Sequence, residues 1–219
     1  MKALAAALVV LLATGDDALA HRLDEYLQAT RVSFARDRLA IDVDLTPGVS
    51  IASGVIAMLD TNADGAVASA EAGGYGRSVL SDLRVSLDGN RIGMTLEGID
   101  IPTLDEMRNG TGTIRLHAAG RVEVGAGRHL VEVINNHRPE TSVYMVNTLV
   151  PEDSGIDIVS QSRDPRQREF RAEYDVTSEW VGYVMLLGMG TAGVVFAAKR
   201  RNEKRKTNSE KRIIKTTNE

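Results

Sequence analysis

Hydrophobic and polar residues alternate along much of the chain with the two-residue period of half-buried β-strands. Two such segments, residues 26–34 and 39–45, are joined by a charged turn and predict a hairpin. Further strand candidates cover residues 83–87, 91–96, 112–117, 129–135, 142–150, 156–160 and 170–176, with a tight turn at Asp88-Gly89. Many short strands without a βαβ rhythm predict a mainly β fold, an antiparallel β-sandwich.

One stretch interrupts the strand pattern directly after the second strand. Pro47 and Gly48 end that strand, and residues 49–59 then form an apolar run that predicts a short helix. We expect residues 49–83 to form an inserted helix–loop–helix, whose loop covers residues 60–71. Three glycines fall within residues 72–83, and each disfavours helix by about 1 kcal/mol relative to alanine, so we do not expect a large calcium-driven opening of the two helices.

The loop carries oxygen-bearing residues at the spacing of a calcium-binding EF-hand loop. Counting Asp60 as position 1, the candidate ligands at positions 1, 3, 5, 7 and 12 are Asp60, Asn62, Asp64, the main-chain carbonyl of Ala66, and bidentate Glu71. Gly65, at position 6, tolerates the strained backbone that wraps around an ion. The pattern therefore predicts that this loop binds Ca²⁺.

A polar turn without metal is the alternative interpretation of the same residues, because Asx residues and glycine dominate turns. A turn accounts for Asp64-Gly65 but not for a glutamate six residues later. The loop has three carboxylates, and no second loop of this kind occurs in the chain. We therefore expect weak binding, with a Kd of about 10⁻⁴ to 10⁻³ M.

The first twenty residues have the pattern of a secretory signal peptide. Lys2 precedes an apolar run over residues 3–13, and Ala18 and Ala20 have the spacing of a cleavage site. An uncleaved anchor is the alternative, but this run is short for a helix that spans about 30 Å of hydrocarbon. The mature chain would begin at His21 and lie outside the cytoplasm.

A second apolar segment lies near the C-terminus. Residues 180–198 carry no formal charge, open with Trp180 and Tyr183, and end against three basic residues at 199–201. Aromatic residues on one boundary and cations on the other predict a single transmembrane helix at 179–198, with the C-terminus in the cytoplasm. A buried core helix is the alternative.

Charge divides sharply at this segment. Residues 21–198 contain 16 Arg, no Lys and 25 Asp plus Glu, a net charge of −9, whereas residues 199–219 contain 9 Lys plus Arg and 3 Glu, a net charge of +6. We expect the basic tail to lie along anionic lipid and not to bind nucleic acid, since it lacks interleaved aromatic residues. Small residues four apart, Gly188 with Ala192, are compatible with a homodimer through the transmembrane helix.

Histidines offer a second candidate metal site. After cleavage, His21 would present an α-amine beside its imidazole, a nitrogen pair suited to Ni²⁺ or Cu²⁺; a mobile, solvated terminus is the alternative. His129 and His137 would be roughly 26 Å apart on one straight strand and could share an ion only if the chain bent between them. The chain has no cysteine, which excludes disulfides and thiolate metal sites.

Motifs for catalysis are lacking in the sequence. It contains no nucleophile elbow, glycine-rich phosphate loop or zinc-protease helix motif, and its adjacent carboxylate pairs fit a solvated surface. We therefore expect a protein that is not an enzyme. A hydrolase is the third hypothesis, and a pocket that collects a nucleophile, a base and oxyanion donors would support it.

Several short segments resemble the extracytoplasmic domain of HupE/UreJ-type membrane proteins. They are residues 21–30 (HRLDEYLQAT), 45–48 (LTPG), 136–137 (NH), 142–144 (SVY) and 149–151 (LVP), within a resemblance that covers about residues 21–180. The resemblance implies a link to nickel or cobalt handling and a membrane permease as partner. The chain departs from that pattern after Trp180, where it has one predicted span and no intramembrane histidine or aspartate for ion transport.

Together these features predict a single-pass protein of a bacterial cytoplasmic membrane with an exported, calcium-binding β-domain at residues 21–178. The calcium ion would be structural or sensory. The alternative is an accessory protein that captures Ni²⁺, Co²⁺ or Cu²⁺ at His21 for a partner permease.

Overall fold

The computed structural model describes residues 24–178. The predicted signal peptide, His21, the predicted transmembrane helix at 179–198 and the basic tail lie outside the described residues. Within residues 24–178, none of the helices combines the length and the apolar character needed to cross a membrane.

The described part of the chain is mainly β, as its alternating pattern predicts. The strands are β1 (Tyr26–Phe34), β2 (Arg38–Pro47), β3 (Leu83–Leu87), β4 (Asn90–Arg91), β5 (Thr95–Asp100), β6 (Ile114–Arg121), β7 (Gly127–Asn135), β8 (Ser142–Thr148), β9 (Ile156–Arg163) and β10 (Glu169–Val176). The helices are α1 (Val49–Leu59), α2 (Ser69–Asp82) and α3 (Leu104–Arg108).

The strands form two five-stranded sheets around one hydrophobic core. The first sheet has the order β5-β6-β2-β1-β8 and the second the order β4-β3-β7-β10-β9. Alternate residues of β1 and β2 are buried, which is the pattern of strands with one face on a core. Phe34 of the first sheet and Tyr174 of the second stack across the core with ring centroids 4.7 Å apart.

One strand pair departs from the expected wholly antiparallel arrangement. β8 runs parallel to β1, with Tyr26 opposite Ser142 and Val32 opposite Thr148. Parallel neighbours require a long connection between them. Residues 35–141 supply that connection, which passes through both sheets before β8 enters beside β1.

Two local details differ from the sequence pattern, and one agrees with it. The segment predicted as one strand at 91–96 is split, because the chain crosses there from β4 in the second sheet to β5 in the first. The short helix α3 was not expected, although Thr103 and Glu106 form a capping box at its start. Asp88 and Gly89 do form the tight turn between β3 and β4, with positive φ values of 50° and 79°.

The two ends of the sandwich are distinguished by what is attached to them. At the end of β7, Asn135 lies opposite Leu83, the residue that follows α2; we call this the helix end. At the start of β7, Gly127 lies opposite Val176, the last residue of β10; we call this the exit end. The helix–loop–helix and the C-terminal exit of the chain are therefore at opposite ends of the sandwich.

Candidate metal centre in the helix–loop–helix

Helices α1 and α2 hold the loop at residues 60–68 between them. Val55 and Leu59 of α1 are buried at a spacing of four residues, and so are Tyr75 and Val79 of α2, so one face of each helix is anchored in the core. Val67 also packs against this core. Asp60 is half-buried, and residues 61–66 and 68 are exposed, so most of the loop faces solvent.

The first part of the loop is a series of turns closed by side-chain oxygens. Asp60 accepts hydrogen bonds from the amides of Asp64 (3.0 Å) and Gly65 (2.9 Å). The Asn62 carbonyl oxygen accepts from the same Asp64 amide at 3.0 Å, and Asp64 accepts from the amide of Ala66 at 2.9 Å. These hydrogen bonds close consecutive turns around the side-chain oxygens of three predicted ligands, Asp60, Asn62 and Asp64.

Glu71 closes the loop by reaching back to its beginning. Its Oε1 accepts from the amide of Thr61 at 2.8 Å, from the Thr61 hydroxyl at 2.7 Å and from the amide of Asn62 at 3.2 Å. Its Oε2 accepts from the amide of Ala68 at 2.9 Å. Hydrogen bonds from the Thr61 hydroxyl and from the Ala68, Thr61 and Asn62 amides hold the pKa of Glu71 at about 2. The carboxylate is therefore ionised at physiological pH.

Glu71 also has a structural role that its spacing alone does not reveal. It is the third residue of α2, and its bond to the amide of Ala68 satisfies one of the free N–H groups at the start of the helix. A capping glutamate therefore accounts for Glu71 without a metal ion, so calcium is not the only explanation of its position.

The loop has the oxygen ligands that a hard cation prefers, but its carboxylates accept hydrogen bonds from main-chain amides. No group of three or more His, Cys, Asp or Glu side chains arranged to hold a metal occurs within residues 24–178. Asp60, Asp64 and Glu71 nevertheless supply six carboxylate oxygens within twelve residues. Gly65 has φ of 83°, and Ala63, a residue with a β-carbon, has φ of 55°, so the backbone is already bent as a tight loop requires. Binding would require Glu71, whose Oε1 accepts three hydrogen bonds, to turn towards the ion.

The described histidines do not form a shared metal site. His129 lies near the start of β7 with its Nδ1 2.8 Å from an Asp88 oxygen, whereas His137 lies beyond the other end of that strand, 2.8 Å from an Asp82 oxygen. His117 is on β6 in the other sheet, with its Nδ1 2.6 Å from an oxygen of Asp42. Each imidazole is thus held by its own carboxylate.

A buried polar cluster at the helix end was missed by the sequence patterns. Gln28 is fully buried in β1, and its amide nitrogen donates to the His137 carbonyl (2.8 Å) and to the Ser142 hydroxyl (2.6 Å). Its amide oxygen accepts from the Asn135 side chain at 2.9 Å, which connects the two sheets. The available signal was Gln28 itself, a polar residue at an inward-facing position of β1.

The second helix of the insertion is tied to this cluster. The Asp82 carbonyl, at the end of α2, accepts from the Asn136 amide at 3.0 Å, and the Asp82 side chain bonds to the ring of His137. Tyr75 of α2 shares a short hydrogen bond with the buried Tyr26 hydroxyl of β1. Burial raises the pKa of Tyr75 to about 12. The helix that begins at the loop is therefore hydrogen-bonded at its other end to the buried polar cluster.

No protein-family model matches the sequence, and no curated protein matches it either.

Proposed function

We propose that this chain is a membrane-anchored protein whose exported β-domain binds Ca²⁺ through Asp60, Asn62, Asp64, the Ala66 carbonyl and Glu71. The observation that supports this most directly is the contact of Glu71 with Thr61 and Asn62, since it brings the carboxylate at loop position 12 against positions 2 and 3. The role proposed is that of a binding domain, not of an enzyme.

The ion would act on the loop and on α2 together. Asp60, Asp64 and Glu71 carry three negative charges within twelve residues, and a divalent cation would relieve their repulsion. Because the ligands must first leave their N–H donors, the proposed affinity is weak, with a Kd of about 10⁻⁴ to 10⁻³ M. Such a site would be occupied outside the cytoplasm, where the predicted signal peptide sends the domain.

The calcium proposal is tested by isothermal calorimetry on the full-length protein in detergent micelles. Glu71→Gln is expected to abolish the calcium heat. The matched control is Glu106→Gln, because Glu106 is also the third residue of a helix and caps it, accepting from the Thr103 amide at 2.8 Å, but is not one of the predicted ligands. Calcium binding that survives Glu71→Gln, or no binding at millimolar Ca²⁺, would show that Glu71 only caps α2.

A second candidate function, capture of a transition metal for a partner permease, is favoured by the resemblance to HupE/UreJ-type proteins. The same calorimetry with Ni²⁺, comparing the wild type with His21→Ala, tests it. Ligand hardness separates the two functions: oxygen ligands prefer Ca²⁺, whereas an amine with an imidazole prefers Ni²⁺ or Cu²⁺. Nickel binding lost only in His21→Ala would move the function towards metal delivery.

A further inference from the structure

The exit end of the sandwich carries an exposed apolar tip. The connection between β8 and β9 crosses this end, and within it Val150 is 89% exposed and Leu149 is 41% exposed. Pro151 follows directly. The tip is held in place, because the Leu149 amide donates to the Val32 carbonyl at 2.9 Å and Asp153 pairs with Arg36 at 2.8 Å. Leu149 and Val150 are thus two neighbouring exposed apolar side chains on a braced loop.

The strand register places this tip beside the point where the chain leaves the domain. Val176 lies opposite Ile156, the first residue of β9 and the end of the connection that carries the tip. From Val176 the chain has only four Cα steps, at most about 14 Å, before Trp180 opens the proposed transmembrane helix. The tip therefore lies on the end of the domain from which the chain leaves towards the proposed transmembrane helix.

We propose that Val150 and Leu149 insert into the outer lipid–water interface and orient the domain on the membrane. This inference rests on the membrane anchor in the proposed function. The apolar contact is small, but a tethered domain has a high effective concentration at the surface, so a weak contact suffices to set its orientation.

Charge does not draw the tip to the membrane. Asp153 is neutralised by Arg36, and the adjacent Glu152 carries a negative charge that anionic lipid would repel. The interaction is therefore with the apolar part of the interface, and zwitterionic lipid is sufficient for it. The calcium loop, at the helix end, would then face away from the membrane, beyond strands of nine residues or about 30 Å.

The chain has no cysteine, so single labels can be placed on the full-length protein. We would introduce Val150→Cys at the tip, and as matched controls Val49→Cys on α1 at the helix end (43% exposed) and Val159→Cys on the outer edge strand β9 (44% exposed). Each variant receives a polarity-sensitive fluorophore and is reconstituted into phosphatidylcholine vesicles. Part of the lipid carries a nitroxide quencher near the headgroup.

The label at 150 is expected to emit at shorter wavelength and to be quenched at least about twofold more than the labels at 49 and 159, also in high salt. Equal quenching at 150 and 49, or stronger quenching at 159, would overturn the inference. A blue shift at 150 without quenching by lipid would also overturn it, because a second copy or a partner protein would then cover the tip.

Carbonate extraction of the same membranes separates this inference from the proposed function. If the protein stays in the membrane and position 150 is not quenched, only the orientation is wrong. If carbonate releases the protein, the anchor fails and the orientation with it, whereas the calorimetric test of calcium binding is unaffected.

Discussion

His137 and His129 are held by similar carboxylate contacts but differ in their protonation. The side chain of His137 is 5% exposed, and burial lowers its pKa against the opposing effect of Asp82. Burial also lowers the pKa of His129, but hydrogen bonds to Asp88 and to the Gly125 carbonyl outweigh it and raise the pKa overall. The first histidine therefore favours the neutral form and the second the charged form.

The two histidines should affect the pH dependence of stability in opposite directions. The stabilisation from neutral His137 is present above about pH 6.5, the unfolded value, and is lost as pH falls through its lowered folded pKa. The stabilisation from charged His129 is complete below about pH 6.5, and it is lost as pH rises through the raised pKa of the folded state. Relative to the wild type, acidification from pH 8 to 5 should therefore lower the stability of His129→Gln and raise that of His137→Gln.

The measurement is the chemical denaturation midpoint at several pH values between 5 and 8, where most of the carboxylates are already ionised. His117→Gln, on the exposed outer face of the first sheet, is the control for general effects of histidine removal. A His137→Gln profile parallel to that of the wild type would show that the buried imidazole does not favour its neutral form.

At the scale of elements, α2 forms although it contains three glycines, each of which disfavours helix. Gly76 faces β5, where an added β-carbon would lie 2.9 Å from Leu96 Cδ2 and 3.2 Å from Ile99 Cδ1. Gly74 is exposed, with no atom within 4 Å of the same position. The absence of a side chain at Gly76 is thus what lets the helix approach the sheet, while Gly74 only lowers the helix propensity.

These two glycines give opposite predictions for the same substitution. Gly74→Ala should raise the free energy of unfolding by about 0.5 to 1 kcal/mol, because alanine restricts the unfolded chain and favours helix. Gly76→Ala should lower it by up to about 1 kcal/mol, because overpacking against the side-chain ends of Leu96 and Ile99 outweighs the same gain in helix propensity. Urea denaturation of both variants measures the difference. Equal effects would mean that α2 does not pack closely on β5.

For the whole molecule, calcium binding should stabilise the folded domain, because α2 connects the loop to the polar cluster at the helix end. A ligand that binds only the folded state at ten times its Kd adds about 1.4 kcal/mol of stability. For a domain of this size, that corresponds to a rise in Tm of about 3 to 6 °C. We expect Ca²⁺ to produce this rise in the wild type and EDTA to reverse it.

Thermal melts followed by circular dichroism check the linkage, with Mg²⁺ at the same concentration as the control for ionic strength. Glu71→Gln should lose the calcium-dependent rise, while Glu106→Gln should retain it. A rise of similar size with Mg²⁺, or one that persists in Glu71→Gln, would contradict a specific site in the loop.

The amount of structure predictable from the sequence varied with the range of the interactions. Strands β1, β3 and β10 and helix α1 begin and end within one residue of their predicted bounds, since local alternation and the stop at Gly48 define them. The prediction of one strand at 91–96 was wrong. The chain crosses there from one sheet to the other, and this crossing depends on strand pairing with residues far away in the sequence. For the candidate site, the spacing of oxygen ligands was visible, but the capping role of Glu71 was not.

The sequence alone determined the period of each segment, the composition of the loop and the position of its turns, because these depend on neighbours a few residues apart. Only the tertiary structure decided that β8 lies parallel to β1, that Gln28 joins the sheets through Asn135, and that Val150 lies at the exit end. Each of these joins residues far apart in the chain, and their meeting depends on how the whole hydrophobic core is closed.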